Sequence, residues 1–115
     1  MKARNQYFME THLAGRQYHD ADLVWDELKV GTTLVFEREV DNRYDPDAVQ
    51  IVYTRKNDGE KFLLGYLPRE ENTFIARLLD QGWDNIFDVR IARINGEVHY
   101  ENQVRLSIRI KKNGQ

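Results

Sequence analysis

The chain has 115 residues, a net charge of −2, a pI near 5.9 and no cysteine. That length suits one domain, with a core at about 7–112, able to bury roughly two-thirds of its unfolded surface without staples. Lack of cysteine excludes a disulfide framework and thiolate chemistry, and the negative total excludes a global field that would gather a polyanion.

Residues 7–14 predict a strand. Residues 20–29 carry Leu23, Val24 and Leu28 at helical spacing, with Asp20 placed to cap the start and Gly31 to end the run. Residues 32–40 and 48–53, rich in β-branched and aromatic side chains, predict two strands. Asn57-Asp58-Gly59 has hairpin-turn chemistry and returns the chain into a strand at 61–67, so 48–67 reads as one hairpin. Pro68 ends that strand, and 70–81 predicts a helix with Phe74, Ile75, Leu78 and Leu79 on one stripe, closed by Gly82.

Strands at 86–94 and 97–112 flank Asn95-Gly96, a strong short-hairpin signal. In the last of them Val104, Leu106, Ile108 and Ile110 alternate with Arg105, Ser107, Arg109 and Lys111. One face is core and the other basic; the cations suit either protection of a sheet edge or local contact with phosphate. Residues 111–115 read as a frayed tail, Trp25 and Trp83 as core or stapling residues, and Gly15 and Gly65 as points of close backbone approach. The expected fold is mainly β, with six strands and two helices. The polar first five residues and the short apolar runs predict no signal peptide or membrane span, hence a cytoplasmic protein.

Two blocks concentrate chemistry. In Asn42-Arg43-Tyr44-Asp45-Pro46-Asp47-Ala48-Val49 an amide, an aromatic ring and a carboxylate sit on a turn stiffened by Pro46; Gly65-Tyr66-Leu67-Pro68-Arg69 follows one hairpin later. Binding groups reside on such scaffolded loops because folding orders them in advance. Asn42 and Asp45 equally suit a sharp turn, since both side chains bond nearby backbone N–H groups, and Tyr18, Tyr44 and Tyr66 equally suit half-buried strand positions.

These blocks, together with Ala14-Gly15-Arg16-Gln17-Tyr18-His19 and Leu34-Val35-Phe36-Glu37-Arg38-Glu39, resemble the HIRAN domain, found alone in bacteria and on the N-terminal side of fork-remodelling helicases. The resemblance covers nearly the whole chain. It implies an OB-like or SH3-like β-barrel and, as in helicase members, capture of the 3′ end of single-stranded DNA, with links to DNA repair and to a helicase or nuclease partner. The residues it implicates are Arg16, Gln17, Tyr18, His19, Arg38, Asn42, Arg43, Tyr44, Asp45, Tyr66, Arg69 and Tyr100. Tyr18 and Tyr44 would stack bases, Asp45 would accept a hydrogen bond from the terminal hydroxyl, and Arg38 and Arg69 would clamp flanking phosphates.

The chain departs from the family pattern in places. Arg43 stands where proline is common, and Gln17 where DNA-binding members carry a basic residue. His19 replaces a second aromatic, Tyr66 a histidine and Arg69 a lysine; Tyr100 matches a further base-contacting aromatic.

Enzymatic signatures are missing from the sequence: there is no glycine-rich phosphate loop and no nucleophile elbow. His12, His19 and His99 lack metal-ligand spacing, so neither a metal nor a cofactor is expected. A non-catalytic single-stranded DNA module is the leading expectation. The alternatives are a protein- or peptide-binding module of the same fold, suggested by the acidic pI and Gln17, and a nuclease using Asp41, Asp45 and Asp47 to hold a divalent cation.

Overall fold

Period-two alternation builds most of the molecule. The computed structural model describes residues 4–112, and among them six antiparallel strands form: β1 (Gln6–His12), β2 (Thr33–Arg38), β3 (Val49–Thr54), β4 (Lys61–Tyr66), β5 (Phe87–Ile94) and β6 (Val104–Ile110). Their order across the sheet is β1-β6-β5-β2-β3-β4. Leu34, Phe36, Ile51, Leu64, Ile91 and Leu106 point inward and are buried in one continuous core. β2 serves two halves of the sheet, pairing through Thr33 and Leu34 with β5 and through Val35 to Arg38 with β3.

The expected barrel is overstated, because the sheet does not close. The outer strands meet at one bridge, where Ala14 and Tyr66 exchange N–H···O bonds of 2.9 Å in each direction. Closure needs a continuous ladder. Directly after Ala14, however, Gly15 takes φ +70° and turns the chain into a 3-10 turn at Arg16–Tyr18. Gly65 is where the backbones crowd: a Cβ there would run into the Ala14 carbonyl oxygen and the Leu13 side chain. The glycine at 65 is thus a close approach, whereas the one at 15 serves the left-handed conformation.

The helices are shorter than their periodicity suggests. The first, α1, spans Ala21–Val24 and passes into a 3-10 turn at Trp25–Glu27; Ala21, Val24 and Leu28 are buried, while Leu23 lies on the outer face at 71% exposure. Asp20 makes no side-chain cap; its backbone N–H instead bonds the Leu63 carbonyl. The second, α2, spans Thr73–Asp80 because Arg69–Glu71 form a separate 3-10 turn behind Pro68. Ile75 and Ala76 face the core, whereas Phe74, expected among them, is 81% exposed. Gly82, at φ +88°, ends the helix as expected, with the Trp83 N–H bonded to the Leu78 carbonyl. Trp83 is exposed rather than packed; Trp25 does pack against the core.

β3 and β4 form the expected hairpin, although Asp58 keeps negative φ and only Gly59 turns left-handed, in a loop closed by Arg55 N–H to the Glu60 carbonyl. Asn95-Gly96 makes no tight turn. It opens a connection containing a 3-10 turn at Tyr100–Asn102, so β6 begins at Val104 rather than 97. β6 is hydrogen-bonded on both sides, which removes edge protection as the reason for its arginines; Arg105 pairs with Glu10 at 3.0 Å. Lys111 and Lys112 are tied down through their N–H groups to Ile86 and Asn5, and the rest of the expected tail lies outside the described residues. No described helix is long and apolar enough to cross a membrane.

Candidate nucleic-acid interface

The connection from β2 to β3 is shaped by its own side chains. Asn42 Oδ1 accepts from the N–H groups of Tyr44 and Asp45 at 2.8 and 2.9 Å, and Asp45 Oδ1 accepts from the Asp47 N–H at 3.0 Å. Each bond forces the chain back on itself. Outside contacts then fix the turn in space: the amide of Asn72, buried ahead of α2, donates to Asp45 Oδ2 at 2.8 Å, and Thr73 donates to Asp47 at 3.2 Å.

Arg38 holds the far side of the same loop. Its guanidinium donates to the Ala48 and Pro46 carbonyls at 2.7 and 3.0 Å and to both Asp80 oxygens at 2.7 and 3.3 Å, tying the loop to the end of α2. Glu39 is the third fixed point. One of its oxygens accepts from Asn42 Nδ2 at 2.7 Å and the Tyr66 hydroxyl at 2.8 Å, and the other from Gln50 at 3.0 Å. Burial, and then the bond to Glu39, holds the Tyr66 phenol above its ordinary pKa. It stays protonated and donating at neutral pH.

A ring held this way can be rigid and exposed at once. Tyr44 is 82% exposed on a loop whose polar groups are paired beneath it. It stands with Asn42, Asp45, Tyr66 and Arg69 around an open pocket of about 270 Å³. Ala14, Gly15 and Leu67 complete the wall, so the bridge that joins the outer strands is part of the pocket. Arg69 is exposed and makes no ion pair among the described residues.

Comparison with known proteins is decisive: the HIRAN domain model matches residues 6–112. The chain belongs to the HIRAN domain family. This HIRAN domain is 34% identical over 77 residues to a rice (Oryza sativa subsp. japonica) protein called Fanconi-associated nuclease 1 homolog, a match that takes in 67% of the chain and only 7% of the relative. Among solved structures it is similar to a Lactobacillus plantarum protein, with TM-score 0.69 and 24% identity over 94% of this chain and 97% of that one. It is also similar to the HIRAN domain of human HLTF, with TM-score 0.57 and 14% identity over 97% and 84% of the two chains. At those identities the two structures speak for the fold.

The remaining expected residues lie around the pocket or below it. His19 stacks at a tilt on Tyr66, ring centres 5.3 Å apart, and Tyr18 projects into solvent from the turn that follows Gly15. Arg43 is exposed between Asn42 and Tyr44, and Gln17 is half-buried. Arg16, expected in the binding set, and Arg38, expected as a phosphate clamp, are both engaged within the fold. Arg16 is buried beneath the rings of Trp25 and Tyr100, at 4.1 and 5.3 Å, and pairs with Asp22 at 2.9 Å. Tyr100 thereby covers an arginine on one side of its ring.

Of the acids weighed as metal ligands, Asp45 and Asp47 are committed to the turn while Asp41 is exposed beside it, and among the described residues no group of three or more His, Asp or Glu is placed to hold a metal ion. Sequence reading missed Glu39 and Asn72, which no local pattern distinguishes from surface polar residues. Asn72 alters what a substitution at the acid does. Asp45→Ala strands a buried amide and is expected to cost about 1–3 kcal/mol, read as a lower urea midpoint.

Proposed function

We propose that this HIRAN domain is a non-catalytic module that binds single-stranded DNA at a free 3′ end. The observation that carries the reading is the meeting of Tyr44, Asp45, Tyr66 and Arg69 around one open pocket. Tyr44 offers a face to a base, a contact worth about 1–3 kcal/mol that tolerates any base, and Tyr18 is exposed for a second. Arg69 and Arg43 supply cations for the adjoining phosphates. Asp45 uses one acceptor site on each oxygen within the loop, which leaves lone pairs for the hydrogen of a terminal hydroxyl. A phosphate in that place would meet a like charge. Affinity of this make-up is micromolar, about −8 kcal/mol.

The module is proposed to bring strand ends to a helicase or nuclease in DNA repair or at stalled forks; the rice relative, named as a nuclease homolog, supports that setting. Fluorescence titration with oligonucleotides ending in 3′-hydroxyl or 3′-phosphate tests the reading, with the hydroxyl form expected to bind more tightly. Equal affinities would remove end recognition. Tyr44→Ala is expected to weaken binding tenfold or more at an unchanged thermal midpoint, because its ring is in solvent. A variant that binds normally would remove the stacking role.

A further inference from the structure

A second cleft, of about 740 Å³, opens at the other end of β2 and β3. The ladder between these strands runs only from Val35↔Val52 to Arg38↔Val49; ahead of it β2 leaves to pair with β5. The two backbones therefore part, with residues 29–33 on one wall and 53–57 on the other.

Unengaged donors gather on these walls. Lys29 and Lys56 both line the cleft, both exposed and neither in an ion pair among the described residues. The side chains of Thr33, Thr54 and Asn57 likewise have no hydrogen-bond partner there. Two neighbouring acids, Glu27 and Asp58, are already paired, while Asp26 and Glu60 are exposed and stand outside the lining. Glu27 accepts from Arg55 at 2.8 and 3.1 Å and from the Tyr53 hydroxyl at 3.0 Å, and Asp58 accepts from Arg55 at 3.1 Å. The hydrogen bond from Arg55 leads the causes that hold the Glu27 carboxyl below its ordinary range, so it is ionised at neutral pH and shares Arg55 with Asp58. Among the residues that line the cleft, Lys29, Arg55 and Lys56 outnumber Glu27, on a chain of net −2.

We propose that the cleft holds backbone phosphates of a single nucleic-acid strand, apart from the pocket that takes its end. Ammonium, hydroxyl and amide donors without acceptors are what phosphate oxygens recruit, and they read no sequence. The inference rests on DNA being the ligand, as proposed above. The two places lie at opposite ends of β3, since Gln50 pairs with Tyr66 at the pocket and Thr54 with Lys61 at the cleft. At ~3.3 Å per residue that separation is about 13 Å, or about four stacked nucleotides at ~3.4 Å each.

Salt titrations separate the two contributions. Labelled dT15 and dT3, both with 3′-hydroxyls, are titrated against the wild-type chain, Lys29→Gln/Lys56→Gln and Tyr44→Ala. The double lysine variant is expected to flatten the slope of log K against log salt for dT15 by about 1.4, which is about 0.7 for each lost phosphate contact, and to leave dT3 unchanged. Tyr44→Ala is expected to weaken both oligonucleotides without changing the slope. A double variant with the wild-type slope overturns the cleft and leaves the pocket standing. A flattened slope together with normal binding by Tyr44→Ala sinks the pocket and keeps the cleft. Absence of wild-type binding to either oligonucleotide overturns both, and equal competition by polyglutamate of the same charge overturns phosphate recognition.

Discussion

Gly65→Ala is expected to lower stability by about 3 kcal/mol or more, read as a fall in the urea midpoint. The added methyl meets the Ala14 carbonyl and the Leu13 side chain, which are backbone and core and have little room to yield. Overpacking of that kind costs about 1–3 kcal/mol, and parting the strands also loses two backbone bonds worth about 0.5–1.5 kcal/mol each. Gly15→Ala makes the control. There the added atom finds ordinary contact with His19, and the cost is the left-handed backbone, about 1–2 kcal/mol. Equal losses at the two positions would show that crowding at 65 is relieved by movement of the edge strands.

Arg38→Ala should release the whole β2–β3 connection. Its two bonds to the Ala48 and Pro46 carbonyls account for about 2 kcal/mol, since the donor is charged and its side chain is only 13% exposed. The pair with Asp80 adds little in salt because the acid is open to solvent. DNA affinity should fall about tenfold as well, because binding must then order the loop that carries Tyr44. Arg38→Lys keeps the charge without the fork of donors and should recover only part of either loss. The hydrogen bond from Arg38 holds the Asp80 carboxyl below the ordinary aspartate range. A lowered pKa of this sort contributes stability above the unfolded value and loses it as pH falls through the folded one. Wild type and Arg38→Ala should therefore draw closer in urea midpoint in acid; a gap that widens there would contradict the ion pair.

How much of this the sequence reveals depends on the range of the interaction. Alternation is local, so the strands and the inward set Val104, Leu106 and Ile108 are legible from spacing alone, whereas Ile110, expected on the same face, is exposed at the strand's end. Asn95-Gly96 misleads because tight-turn chemistry is a propensity: Asn95 instead bonds the Glu97 N–H, and Trp25 lies against Gly96. Leu23 and Phe74 mislead because an apolar residue at helical spacing is counted inward, whereas helices this short present a narrow buried face.

At the site, the meeting of the 42–45 turn with the 65–69 segment is readable as a family pattern. The state of each cation is not. Arg16, Arg38 and Arg69 look alike in sequence; one lies under two rings, one grips two carbonyls, and one stands in solvent. Nothing within a few residues of Arg38 announces Asp80, and nothing near Asp45 announces Asn72.

The single rung between the outermost strands has a thermodynamic corollary. Ala14 and Tyr66 form that rung and also border the pocket, so a guest gripping both sides fastens the seam of the sheet. Occupancy and integrity of the perimeter are then linked quantities, and the Ala14 and Tyr66 amides should exchange their hydrogens with solvent more slowly once the pocket is filled.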